Sequence, residues 1–153
     1  MSILLRPLTA DDLPRVLQIE RLAQFAPWEE AVFIRCMEIH CAEWGVFQDE
    51  TCVGFIIFSL QFNESHILNL CVHPDYQRQG FGKLLISKAL NLSAEFKTKM
   101  IYLEVRRSNQ AAIALYEQQG FVQIGERKQY YPAPNQREDA LVFAKELISP
   151  IED

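Results

Sequence analysis

Apolar and polar residues follow two different rhythms along this 153-residue chain, and the switches between them mark its elements. Residues 3–8 read as a short first strand. Thr9-Ala10-Asp11-Asp12 then has capping-box spacing, with an acidic residue in place of the usual Glu or Gln. Leu13, Val16, Leu17 and Glu20 recur at helical spacing. Pro27 suits the first turn of a second helix, where its missing N–H would have no partner anyway, and Val32, Phe33, Cys36 and Met37 continue that helix. Residues 44–48 and 52–62 are rich in β-branched and aromatic side chains, and Asp49-Glu50-Thr51 between them predicts a hairpin without the favoured Asn-Gly or Asp-Gly pair. Asn63-Glu64-Ser65 reads as another turn and residues 67–72 as the third strand of a meander.

A loop containing Gly80 and Gly82 leads into an amphipathic helix with Leu84, Leu85, Lys88, Ala89, Leu92 and Phe96 near period 3.6. Residues 100–105 read as a strand, Ser108 or Asn109 caps a helix running to Gln119, and Gly120 stands where a helix end takes a left-handed residue. Residues 121–124 and 140–144 supply the last two strands. The order β-α-α-β-β-β-α-β-α-β-β predicts an α/β fold with a mixed, mostly antiparallel central sheet flanked by helices. We expect one domain over residues 1–153.

Composition changes this picture little. Hydrophobic residues make up 49% and charged residues 23%, as in ordinary globular chains. The formal net charge of −5 argues against a non-specific nucleic-acid binder and would suit a basic peptide. The four cysteines, Cys36, Cys41, Cys52 and Cys71, include no Cys-x-x-Cys pair, which fits a reducing cytoplasm. Cys36, His40 and Cys41 raise the question of a metal, but their spacing matches no common zinc pattern, so no metal is expected. The first residues lack the basic leader and apolar stretch of a signal peptide. The most apolar stretch, residues 52–60, falls short of the ~20 residues that span a bilayer, so neither a membrane nor direct nucleic-acid contact is expected.

Strand, glycine loop and helix together make a general device for holding a pyrophosphate, because free N–H groups and the helix dipole both favour an anion. A Walker A loop is excluded: Gln77 stands at its first glycine and Leu84 at its Ser/Thr. A Rossmann fingerprint begins at Gly80-Phe81-Gly82 but has Leu85 at its third glycine. What remains is Gln/Arg-x-x-Gly-x-Gly, met by Gln77, Gly80 and Gly82.

That loop resembles the pyrophosphate loop of the GNAT superfamily of acetyltransferases. The segment Leu103-Glu104-Val105-Arg106-Arg107-Ser108-Asn109, continuing through Leu115-Tyr116-Glu117 to Gly120-Phe121, resembles the other half of the same acetyl-CoA site. Asn69 through Arg78, Tyr130-Tyr131-Pro132, Glu138-Asp139-Ala140 and Pro27-Trp28 look like the ribosomal-protein-alanine N-acetyltransferases, the RimI-like branch. The resemblance covers nearly the whole chain. It implies an acetyl-CoA-dependent acyltransferase acting in the cytoplasm on the N-terminal alanine of a small-subunit ribosomal protein. It implies Glu104 as general base and Tyr116 as general acid. It implies that Leu70, Cys71, Val72, Arg78, Gln79, Gly80, Phe81, Gly82, Lys83 and Asn109 contact the cofactor. For the acceptor it implies Trp28, Tyr130, Tyr131, Glu138 and Asp139. Cys71 replaces a more usual Ala, and Phe81 is bulkier than the usual Ile or Leu.

The chemistry asks for such groups. An ammonium has no lone pair, and an α-amine (pKa ~8) is more easily deprotonated than lysine (~10.4). A carboxylate takes the proton, backbone N–H groups near Val72 would polarise the carbonyl, and a phenol protonates the departing thiolate in a direct transfer. By strand alternation alone, Glu104 would be a solvated glutamate opposite the apolar face of Ile101, Leu103 and Val105. Two other functions remain open: a GNAT enzyme acting on lysine, a polyamine or another small amine, and a non-catalytic acyl-CoA binder.

Overall fold

The computed structural model describes residues 1–39 and 41–147. In chain order the elements are β1 (Ile3–Pro7), α1 (Leu13–Ala23), α2 (Glu30–Glu38), β2 (Ala42–Gln48), β3 (Thr51–Ser59), β4 (Glu64–Val72), α3 (Phe81–Glu95), β5 (Met100–Arg106), α4 (Gln110–Gln118), β6 (Val122–Tyr131) and β7 (Glu138–Glu146). The strands form a seven-stranded sheet in the order β1-β2-β3-β4-β5-β7-β6. β4 pairs parallel with β5, from Glu64↔Met100 to Ile67↔Leu103, while β1·β2, β2·β3, β5·β7 and β6·β7 are antiparallel. The expected mixed α/β sheet is therefore present, with each expected element in its place.

The chain divides into two compact units. The first comprises Met1–Ser59 and Leu68–Ala89. Its core gathers Val16, Leu17 and Ile19 of α1, Phe33 and Cys36 of α2, and Phe47, Phe55 and Ile57 of the sheet. Trp28, Phe33 and Phe55 meet in series, tilted and then edge-on, with ring centroids 5.2 and 5.8 Å apart. The second unit comprises Leu60–Ile67 and the chain from Leu90 onward. Ile101, Leu103 and Val105 point one way from β5 and are buried with Phe121, Leu141 and Phe143, as strand alternation requires.

Several boundaries differ from the sequence expectation, each for a local reason. The second helix begins at Glu30, not at Pro27. The buried Glu20 carboxylate accepts the Trp28 N–H at 2.8 Å, which holds residues 27–29 outside the helix. The turn after β3 lies at residues 61–63 and Glu64-Ser65 already belong to β4. There Ser65 is fully buried and its hydroxyl meets that of Thr98 at 3.2 Å. Leu84 (39%) on α3 and Phe96 (48%), just past its end, are exposed, and Phe81, Leu85, Ile86, Ala89 and Ser93 form the buried stripe of the helix. The helix starts at Phe81, one residue inside the glycine loop, and its spacing of four sets the face. His40 lies outside the described residues; among the described residues no group of three His, Cys, Asp or Glu side chains could hold a metal.

The β2–β3 hairpin closes through Asp49 and Glu50, both with positive φ (48° and 72°), between the paired Gln48 and Thr51. Two left-handed residues are what the tight hairpin turn demands, and neither is glycine. Asp49 is held by Ser2, whose backbone N–H donates to its carboxylate at 2.9 Å. Glu50 has no such tie among the hydrogen bonds of the described residues. Glu50→Gly should therefore raise stability by about 0.5–1 kcal/mol in urea unfolding, and an unchanged midpoint would contradict the strain.

A groove of about 450 Å³ in the first unit, lined by Leu8, Met37, Cys41, Trp44 and Glu43 among others, leaves the Glu43 carboxylate half-buried. Burial raises its pKa from the usual carboxylate range to about 7. The folded state thus holds this proton more tightly than the unfolded chain. The stability it brings is complete below the unfolded pKa and is lost as pH rises through about 7. Glu43→Gln should flatten the fall in stability between pH 5 and 8, by about 1 kcal/mol after allowance for its solvent exposure, as read from unfolding midpoints across pH.

Candidate active site

In the first unit the glycine loop is shaped by the residues before it. The His73 N–H donates to the Val53 carbonyl at 2.8 Å, and its Nδ1 accepts the Asp75 N–H at 3.0 Å. The His73 ring meets Tyr76 edge-on at 5.5 Å, and Tyr76 meets Phe81 at 6.5 Å. Gln77 turns back to donate its side-chain amide to the Val72 carbonyl at 3.0 Å, tying the loop to the end of β4. The backbone is left-handed at Arg78 (φ 64°) and at Gly80 (φ 87°), and then α3 begins. The first hydrogen bond of α3 runs from the Leu84 N–H to the Gly80 carbonyl, 3.1 Å, so the first helical turn faces the loop.

That arrangement fits an anionic pyrophosphate: a 15-residue helix whose N-terminal turn opens onto an exposed loop of Arg78, Gln79 and Gly80, with Lys83 also exposed. Nothing lies within 4 Å of where a Gly80 Cβ would stand, so glycine is required there by its φ and not by crowding. Phe81 is buried against Tyr76, so its bulk is taken up inside the fold. Leu70 and Val72 are half-buried, whereas Cys71 is buried with its thiol 3.8 Å from the Ile19 carbonyl. Burial and the nearby Glu20 push the Cys71 thiol well above its ordinary range, so this side chain is packing, not a nucleophile.

Sequence reasoning missed Glu20. It is 1% exposed; its carboxylate accepts the Trp28 N–H at 2.8 Å and the Asn69 amide at 3.0 Å, and Gln24 donates to Asn69 at 3.3 Å. Burial raises its pKa, while the Trp28 and Asn69 hydrogen bonds pull it down. The network fixes Trp28, whose ring is half-buried against Phe33. The available signal was a glutamate in phase with Leu13, Val16 and Leu17 on the apolar face of α1.

The second unit brings Glu104, Tyr116, Tyr130, Tyr131, Glu138 and Asp139 together with four arginines. Glu104 stands on the half-buried face of β5, opposite Ile101, Leu103 and Val105. Its Oε2 is closed off from water and lies 2.8 Å from Arg127 Nε. The atom makes no well-aligned hydrogen bond, so this attraction is chiefly Coulombic. Tyr116, on α4, is 5% exposed and meets Phe121 at 5.8 Å. Burial, with Tyr131 nearby, drives its phenol pKa upward, which keeps the proton on the oxygen. Burial and the neighbouring Glu104 raise Tyr131 to about 12. Asn109 caps α4 by accepting the Ala112 N–H at 3.2 Å.

Glu138 and Asp139 are engaged within the unit. Glu138 accepts the Ser108 N–H at 2.7 Å and pairs with Arg106 at 3.2 Å, and these partners hold it below the usual carboxylate range. Arg106 also donates to the Pro132 carbonyl at 2.7 Å and lies 4.6 Å from the centre of the Tyr131 ring. Asp139 accepts the Gln129 N–H at 2.9 Å, which lowers its pKa with help from Lys128 and Arg107. Gln129 is left-handed (φ 50°) within an irregular stretch of β6 between Arg127 and Tyr131. Arg137 braces that stretch by donating to the carbonyls of Gln129 (2.8 Å) and Tyr130 (2.7 Å). The two tyrosines, edge-on at 5.0 Å, are therefore flanked by arginines, Arg106 over the Tyr131 ring and Arg137 donating to the Tyr130 carbonyl. These arginines were not legible as site residues beforehand.

Comparison with known proteins gives the family and the fold. The model of the acetyltransferase (GNAT) family matches residues 6–121. The chain is 36% identical over 137 residues, 90% of its length and 93% of the other, to the [ribosomal protein bS18]-alanine N-acetyltransferase of Escherichia coli K12. The crystal structure of the ribosomal-protein-S18-alanine N-acetyltransferase from Escherichia coli superposes with a TM-score of 0.91 at 32% identity, covering 99% of both chains. Arabidopsis thaliana NAA60 in complex with acetyl-CoA shares the fold, with a TM-score of 0.85 at 22% identity over 95% of this chain and 99% of that one. Helix, loop, sheet order and sequence thus converge, and the chain belongs to the GNAT family of acetyltransferases.

Proposed function

We propose that this enzyme transfers an acetyl group from acetyl-CoA to the α-amine of an N-terminal alanine on a small-subunit ribosomal protein, directly and within one ternary complex. The acceptor rests on one observation: the likeness to the Escherichia coli enzyme named for that substrate, over nearly all of both chains. Residues 1–153 act as one catalytic domain in the cytoplasm. Bound acetyl-CoA would supply the activated thioester. The α3 N-terminus and the backbone of Arg78, Gln79, Gly80, Phe81, Gly82 and Lys83 hold its pyrophosphate, with Leu70, Cys71 and Val72 giving backbone contacts and Asn109 a polar one. Glu104 takes the ammonium proton, directly or through a water, and Tyr116 gives a proton to the leaving sulfur. Trp28, Tyr130 and Tyr131 touch the acceptor peptide. Glu138 and Asp139 act on it by holding Arg106, the Gln129 bulge and the two tyrosines in shape.

Initial-velocity kinetics test the transfer step. Varying acetyl-CoA against an Ala-initiated peptide should give intersecting reciprocal lines, with no turnover of the N-acetylated peptide. Parallel lines would indicate a covalent acyl-enzyme and contradict direct transfer.

A further inference from the structure

Arg127 reaches Glu104 along a lane built into the sheet. On one face of the second unit, Glu104 of β5, Val142 of β7 and Gly125 of β6 stand opposite one another. Two residues along, Arg106, Ala140 and Arg127 form the next row on that face. The Arg127 side chain crosses β7 diagonally from its own row to Glu104. Its immediate neighbour in its own row is Ala140, which carries only a methyl, with Arg106 beyond; in the other row Gly125 carries no side chain and Val142 stands next to Glu104. The Arg127 side chain is 59% exposed, so solvent reaches it beside the ion pair, and its guanidinium carbon lies over the Tyr130 ring, 5.5 Å from the centroid. Glu104, by contrast, sits on β5, a strand paired on both sides.

The acceptor also arrives as a cation. With a pKa near 8, roughly nine-tenths of α-amines are protonated at pH 7. Its ammonium and Arg127 therefore compete for one carboxylate. We propose that Arg127 is a placeholder: its guanidinium occupies the subsite of the acceptor ammonium on Glu104 and leaves that carboxylate for solvent when the acceptor binds. Acceptor binding is then an exchange of cations. The carboxylate keeps an ionic partner in the empty enzyme, and an uncharged or blocked terminus has no means of displacing Arg127. This inference rests on the reading of Glu104 as the base that meets the acceptor amine.

Calorimetry tests it without turnover. The protein, saturated with CoA as a non-reactive donor analogue, is titrated with a basic Ala-initiated peptide and, separately, with the same peptide N-acetylated. Arg127→Gln should bind the free-amine peptide about 2- to 5-fold more tightly than wild type, as expected for relief from one exposed ion pair. Its affinity for the acetylated peptide should be unchanged, and Arg127→Lys, which keeps the charge, should stay closer to wild type. Equal or weaker binding of the free-amine peptide by Arg127→Gln, or no binding of either peptide to any of the proteins, would overturn the exchange. A wild-type protein that binds the free-amine peptide but never consumes acetyl-CoA would instead overturn the proposed function, an outcome read separately from the affinity change at Arg127→Gln.

Discussion

Glu104→Gln is expected to lower kcat/KM for an Ala-initiated peptide by about 10²–10⁴ near neutral pH, the usual contribution of a positioned general base. Glutamine keeps the size of the side chain and cannot take the proton. The loss should shrink as pH rises past the amine pKa of ~8, because the acceptor then arrives already neutral. That pH dependence separates a lost base from a damaged fold, which high pH would not repair. The measurement is kcat/KM from pH 6.5 to 9.5 at saturating acetyl-CoA. Superimposable wild-type and variant profiles would remove Glu104 from the chemistry.

Tyr116→Phe is expected to lower kcat by about 10², with little change in KM for either substrate, because the hydroxyl acts on the leaving sulfur and not on binding. The phenyl ring keeps the edge-on contact with Phe121, so the unfolding midpoint should move little. Burial holds the Tyr116 phenol protonated beyond its ordinary range, so wild-type kcat should show no alkaline loss from this group up to about pH 10. A Tyr116→Phe enzyme with undiminished kcat would assign the acid role elsewhere.

Much of this was legible in the sequence because it depends on local periodicity. The alternation of Ile101, Leu103 and Val105 placed Glu104 on the other face of β5, and Asn109 and Gly120 marked the two ends of α4 through capping chemistry. The glycine loop was readable because a left-handed residue before a helix leaves few alternatives to glycine. What escaped depends on long-range contacts. Pro27 looked like a helix start because the tie from Trp28 to Glu20 spans eight residues and closes only in the folded unit. Arg127 gave no signal because its partner lies two strands away, through a register set by bulges in β6. The ties that engage Glu138 and Asp139 within the unit were not legible because their partners Arg106, Ser108 and Gln129 come from other segments of the chain.

The most direct test of the central claim places both kinds of amine in one molecule. The protein is incubated with acetyl-CoA and a short basic peptide that begins with a free alanine and contains one lysine, and fragment mass spectrometry locates the added acetyl group. The account predicts acetyl on the α-amine of the alanine and none on the lysine. Acetyl on the lysine, or on neither amine, would contradict it.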